Sequence, residues 1–354
     1  MRIAIAERLH PFSHRPGSAV ILPGSPYCVD VFPTKISISD LSQVDASFCF
    51  EAVWGWEGPV ADFTVVQDLE RGEVVVFGKA VQGYFRYRIG ALVGSPGVAV
   101  TLDKTPTGLA FVTKGWPCSS TVGTVHLFGD GSLPVYKPPH LERLSLGSHK
   151  AQEWERMGNH LDFATLLPIW HRLGQMVPAF EHQPIFDRLQ QTVAQKERLQ
   201  VLHRLKEIYL VAFDPCLTPR RHDPFFQGID LPKVTGSPLA VLSEGAVLIR
   251  SLFFQHSDNQ ISLMSVVPPD FHSGRMLDVA CGDWGTMSFE WTKKEARRAL
   301  LHVHQDKQIA LTATADQHAC RVRTSTKDRG TPYRLGSPLN LEAGRVYWFD
   351  CFTH

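Results

Sequence analysis

Apolar and polar positions divide the chain into three textures. Up to about residue 135, short apolar runs recur between turn residues, at 19–22, 28–32, 47–53, 62–66, 74–77, 84–89, 98–102, 109–112 and 122–128. Gly and Pro punctuate these runs closely, which predicts a sandwich or barrel of short strands. Alternation is clearest at Phe85-Arg86-Tyr87-Arg88-Ile89, where apolar and basic side chains take opposite faces of a strand. Helical spacing takes over near His149. An apolar stripe broken by Pro168 predicts two short helices or one kinked helix between 149 and 178. A longer amphipathic helix over 185–212 follows, with Leu189, Leu199, Leu202, Leu205, Ile208, Tyr209 and Ala212 on its apolar side. Residues 213–237 form a loop dense in Pro, Phe and charge. Ser237 as N-cap and Pro238 at the first helical position then start a segment, 239–254, that is apolar almost all round and is predicted to be a buried helix. After a polar turn at 256–259 the period returns to two. Strands are expected near 261–264, 276–280, 286–291, 298–303, 308–314, 319–324 and 345–350. The expected fold is mainly β with a helical insert: an N-terminal β-sandwich (1–137), a helical segment (138–255) and a C-terminal β-sandwich (256–354).

The exit from the buried helix carries a family resemblance. Leu252, Gln255, Ser257, Ile261, Leu263, Met264, Val267, Pro268, Gly274, Arg275, Gly285, Phe289, Glu290 and Trp291 follow a leucine-rich, Gln-containing turn, a strand ending in Pro, a Gly-bearing loop and a strand ending in Trp. This order resembles the junction between helical barrel and C-terminal sandwich in glycoside hydrolases of families 95 and 65. The resemblance covers roughly the last third of the chain. It implies a β-sandwich, a helical (α/α) barrel and a second sandwich, with catalytic carboxylates in the barrel. An intact twelve-helix barrel does not fit. Helices of about 12 residues with connections of about 5 need roughly 200 residues, and the stretch from about 140 to 255 supplies about 115. Three to five helices are expected, a reduced version of that architecture, and the family's catalytic motifs have no counterpart to which its acid and base can be assigned.

Composition narrows the function classes. A net charge of +1, with basic residues dispersed, gives no electrostatic footprint for nucleic acid. No apolar run approaches the ~20 residues of a membrane span, and residues 1–12 show no signal-peptide pattern. Seven cysteines without a CxxC pair read as buried free thiols in a reducing, cytoplasmic compartment. No Walker loop, GxGxxG or GxSxG occurs, so no cofactor is expected. The H-x-H of His302 and His304 lacks a third ligand placed by the sequence, and a solvent-facing pair is expected there. Nothing in the sequence sets the oligomeric state.

Candidate chemistry concentrates in three places. Glu244 stands in the apolar helix with no neighbouring charge until Arg250. A buried carboxylate is either paired or protonated; the second state suits a general acid, and the first is a structural ion pair with an arginine of the 220 loop. Exposure at the start of the helix is the third alternative. The loop 214–230 gathers Asp214, Arg220, Arg221, His222, Asp223 and Gln227, which suits either a sugar or phosphate pocket or a strap fixed by Arg–Asp pairs. Asp214 and Asp223 are the candidate partners of Glu244 in the paired-carboxylate arrangement of glycoside hydrolysis. Trp54, Trp56 and Glu57 at a tight turn suit either a sugar-stacking platform or core packing. Three functions stay open: glycan binding without turnover, glycoside hydrolysis, and a scaffold without a site.

Overall fold

A computed structural model describes residues 3–43, 45–92, 95–106, 111–121, 123–129, 141–147, 150–214, 216–220, 229–325 and 327–354. Its architecture is mainly β with a helical insert. Among the described residues there are four sheets.

Two of them form the N-terminal sandwich. One runs in the order Phe12–Ser13, Ala61–Asp68, Glu73–Ala80, Gly83–Ala91, Gly97–Lys104, Thr124–Phe128, Cys118–Thr121, and the other in the order Phe111–Gly115, Ser47–Trp54, Lys35–Asp40, Tyr27–Phe32, Ser18–Ile21. The alternation expected along Gly83–Ala91 holds: Phe85, Tyr87 and Ile89 are buried, while Arg86 and Arg88 face outward. One core joins Val29, Val31, Ile36 and Ile38 of the smaller sheet to Val65, Val74, Val76, Phe85 and Tyr87 of the larger.

Among the described residues the helices are α1 (Trp154–His160), α2 (Phe163–Gly174), α3 (Asp187–Ala194), α4 (Arg198–Ala212) and α5 (Leu239–Phe253), with a 3₁₀ turn at Pro184–Phe186. Two boundaries differ from expectation. The first helical stretch breaks at Leu161, whose φ of 48° is left-handed, and Pro168 lies inside α2. The expected long helix divides at Lys196, with φ of 58°, where the Lys196 and Glu197 amides donate back to the Val193 and Thr192 carbonyls and close α3. In both places one left-handed residue ends the hydrogen-bond ladder, which periodicity does not reveal. The buried helix is present over Leu239–Phe253, one residue shorter than expected, with Pro238 and not Ser237 at its N-cap position. Ser237 Oγ accepts the Leu239 amide at 3.2 Å and donates to the Leu41 carbonyl at 2.6 Å, tying the start of α5 to the N-terminal sandwich.

α5 runs directly into the strand Phe254–Ser257, which turns at Asp258 and Asn259 into Gln260–Leu263. These two strands continue into a four-stranded sheet with Lys307–Thr312 and Pro338–Leu341. The facing sheet has seven strands, and its edge strand, Arg143–Ser145, comes from the helical segment. A single core links residues of α2, α4 and α5 to both C-terminal sheets, so apolar packing continues across residue 255. α2 and α5 lie close because two glycines face them: an added Cβ at Gly174 would sit 2.2 Å from the Leu242 carbonyl oxygen, and one at Gly245 would sit 2.4 Å from the Trp170 ring.

Candidate functional site

α5 places Glu244 at a cleft of about 670 Å³. Its opposite wall is the segment between α2 and α3, residues 175–186, and its floor is Glu142, His171 and Arg250. The Glu244 side chain is 13% exposed, and every oxygen is engaged. Oε1 accepts from His182 Nδ1 at 2.5 Å and Gln190 Nε2 at 3.0 Å, and Oε2 accepts from the Gln183 amide at 2.7 Å. The partners are thus a histidine, an amide side chain and a backbone N–H, not an arginine, and the charge is neither isolated nor exposed at the start of the helix. His182 donates its second proton, from Nε2, to Asp187 at 2.6 Å. An imidazole flanked by two carboxylates must donate from both nitrogens, so it is an imidazolium. Asp187 first and Glu244 second hold its pKa above the usual histidine value.

The floor is a second charged group. Arg250 Nε lies 2.9 Å from each Glu142 oxygen, Arg250 donates to the Ala280 carbonyl at 2.6 Å, and the Ala280 amide donates to Glu142 at 3.1 Å. Beside this pair His171 is 1% exposed. Its Nδ1 lies 3.2 Å from the Ala246 carbonyl, an acceptor only, so Nδ1 carries the proton. Burial pushes its pKa down, and Arg250 and Arg172 add to that effect against the pull of Glu142. Nε2 therefore presents a lone pair, with no hydrogen bond, 3.7 Å from Glu142 Oε2. Between the two polar clusters the wall is apolar, with Val177, Phe180, Val247 and Leu248.

The other expected site residues lie elsewhere. Asp214 and Arg220 pair with each other at 3.3 Å across a turn closed by the bridge from Phe213 to Pro219, and neither lines the cleft of Glu244. Arg221, His222, Asp223 and Gln227 lie outside the described residues. Trp54 and Trp56 stack at 5.1 Å and are 5% and 6% exposed, with Trp56 also stacked on Phe85 at 4.6 Å. Their faces are covered by the sandwich core, which corrects the expectation of a sugar platform there. Glu57 is exposed beside them, its amide bonded to Gln82 Oε1 at 3.0 Å. His302 and His304 are exposed, and among the described residues no three His, Cys, Asp or Glu side chains gather to hold a metal.

The cleft draws on residues that sequence reasoning did not single out: Glu142, His171, His182, Gln190 and, as a site group, Arg250. One signal was available, since His171 and Arg172 interrupt an apolar helix much as Glu244 does. Compared with known protein families and with curated proteins, the sequence matches none. No helix among the described residues is long and apolar enough to cross a membrane.

Proposed function

We propose that the chain binds a small polyhydroxylated ligand, in the first instance a saccharide unit, in the cleft around Glu244, and that it does so without turnover. One observation carries this reading: a single cleft has hydrogen-bonding clusters at two ends and an apolar wall with Phe180 between them. A sugar ring has the matching pattern, an apolar face edged by hydroxyls, and pockets of this kind orient ligands by a few placed polar groups. Absence of turnover follows from the carboxylates. Both oxygens of Glu244 and both of Glu142 are already held by protein donors, so neither stands as an unpaired acid facing a leaving group. The free thiols support a reducing, cytoplasmic setting.

Glycoside hydrolysis is the second reading, favoured by the presence of two carboxylates at the cleft. Glu244 and Glu142 both line the cleft, and glycoside hydrolysis calls for two carboxylates at one cleft. The test is a thermal-shift and calorimetric screen of mono- and oligosaccharides with product analysis of each hit. Saturable binding that is weakened by Phe180→Ala and by Glu244→Gln, with no product, is expected. Product formation abolished by Glu244→Gln replaces binding with hydrolysis. A flat panel refutes both and leaves the scaffold.

A further inference from the structure

Away from that cleft, a second groove is lined by arginines that make few close hydrogen bonds with the described residues. The N-terminal segment, residues 5–10, runs beside the end of strand Ala61–Asp68, with the Leu69 amide donating to the Leu9 carbonyl at 3.0 Å and the Gln67 amide to the Pro11 carbonyl at 2.8 Å. Between this segment and the outer face of the seven-stranded N-terminal sheet lies a groove of about 720 Å³. Strand alternation turns Phe77, Tyr84 and Arg86 onto that outer face, since their neighbours Val76 and Phe85 point into the core. Arg8, Arg71, Arg86 and Arg143 line the groove against two carboxylates, Asp68 and Glu70.

The carboxylates are already engaged. Asp68 faces His10 at 3.1 Å and accepts the Glu70 and Arg71 amides, and Glu70 accepts from Arg143 at 3.0 Å. The Arg8 guanidinium has no hydrogen bond or ion pair with a described residue, while the Arg8 carbonyl accepts from Gln152 Nε2 at 3.0 Å. Arg71 reaches Asp68 and Glu73 only at 4.0 and 3.7 Å. Arg86 lies 3.4 Å from Asp103, but Arg88 holds that carboxylate through Nε and an outer nitrogen at 3.0 Å, and Arg86 Nε is buried with no hydrogen bond. Three guanidinium groups thus line one groove, and among the described residues their contacts with carboxylates are absent for Arg8 and are ion pairs at 3.4–4.0 Å for Arg71 and Arg86. Planar forks of this kind suit oxyanions, which accept two parallel hydrogen bonds.

We propose that this groove binds a small ligand carrying two or more oxyanion groups, phosphate or sulfate, with Arg8, Arg71 and Arg86 as the recognition residues and Phe77 and Tyr84 as the floor beneath any ring that bears them. The probes are inorganic pyrophosphate and a sulfated disaccharide, titrated at low ionic strength by calorimetry. Saturable binding of at least one probe is expected, weaker by about tenfold for each guanidinium removed by Arg→Ala at 8, 71 or 86. Tighter binding of the sulfated sugar, reduced by Tyr84→Ala while pyrophosphate binding is not, assigns the oxyanions to a saccharide. Equal binding assigns them to a free anion. Arg8→Ala removes a side chain that has no ion pair among the described residues, so it keeps the test valid if the variants at Arg71 and Arg86 fail to fold. Binding by neither probe, or binding unchanged in the arginine variants, overturns the proposal. The saccharide screen on the Glu244 cleft reads a different site, so either result stands without the other.

Discussion

Arg250→Met is expected to destabilise the protein by about 3 kcal/mol, the lower end of the cost of removing one partner from a buried ion pair. The lower end applies because the Arg250 side chain is 21% exposed, whereas that of Glu142 is 10% exposed. Methionine replaces the aliphatic stem and keeps an apolar contact with Phe254, over which the guanidinium lies at 4.9 Å. The loss therefore reports charge and hydrogen bonding more than a cavity. Glu142 would keep the Ala280 amide at 3.1 Å, and the Ala280 carbonyl would lose its donor. A second consequence concerns pH. In the wild type His171 is held neutral, chiefly by burial and further by Arg250. Its folded pKa lies below the unfolded value, so wild-type stability falls as pH drops through about 6.5. Without Arg250 the unpaired Glu142, 3.7 Å from Nε2, favours the imidazolium. The folded pKa of His171 then rises, and the deficit of the variant is smaller at about pH 5.5 than at about pH 8. Urea unfolding at both pH values, with an unchanged m-value, measures this. The double variant Glu142→Gln/Arg250→Met should recover much of the loss, since it buries no uncompensated charge. A deficit under about 1 kcal/mol, the scale of an exposed pair, or a deficit that grows on acidification, refutes the reasoning.

Gly245→Ala should destabilise by up to about 2 kcal/mol despite alanine's better helix propensity, because overpacking costs about 1–3 kcal/mol and the propensity gain is about 1; Trp170→Phe in the same chain should restore stability, and a stabilised single variant would contradict the contact. The His182 clasp stabilises the segment 175–186 fully below the ordinary histidine pKa and is lost as pH rises through its raised folded value. Amide-exchange protection of that segment should step down on alkalinisation in the wild type and show no step in His182→Gln; identical profiles would count against an imidazolium clasp. Cys118 and Cys351 are exposed, the other five cysteines are buried, and burial pushes the thiols of Cys216, Cys281 and Cys320 up to about 12. A thiol reagent should accordingly modify two cysteines quickly in the native protein and the remainder only on unfolding, and rapid loss of all seven would be inconsistent with this packing.

Most of the secondary structure was readable because its cause is local. Phe85, Tyr87 and Ile89 alternate with Arg86 and Arg88, and a sheet with one buried face requires that order. The helix after Ser237 was readable from an apolar run too long for a strand and from its N-terminal residues. The breaks at Leu161 and Lys196 were not, since a left-handed residue leaves no mark on the hydrophobic period. Strand Lys35–Asp40 was not among the expected runs, its apolar content being two isoleucines among small polar residues.

The candidate site divides along the same line. Glu244 was legible as a charge in an apolar helix, a conflict that must be resolved by a partner. The partner was not, because His182 lies 62 residues away and Glu142, at the floor of the same cleft, is 108 residues from Arg250. Trp54 and Trp56 show the converse: the sequence determined two indoles at a turn, and the opposite sheet decided that their faces are covered. Local pattern thus determined the strands, the buried helix and the mainly β class. Which polar groups meet, which arginines share a groove, and which aromatics face solvent were decided only when distant segments packed, because hydrogen bonds and burial depend on neighbours in space, not in sequence.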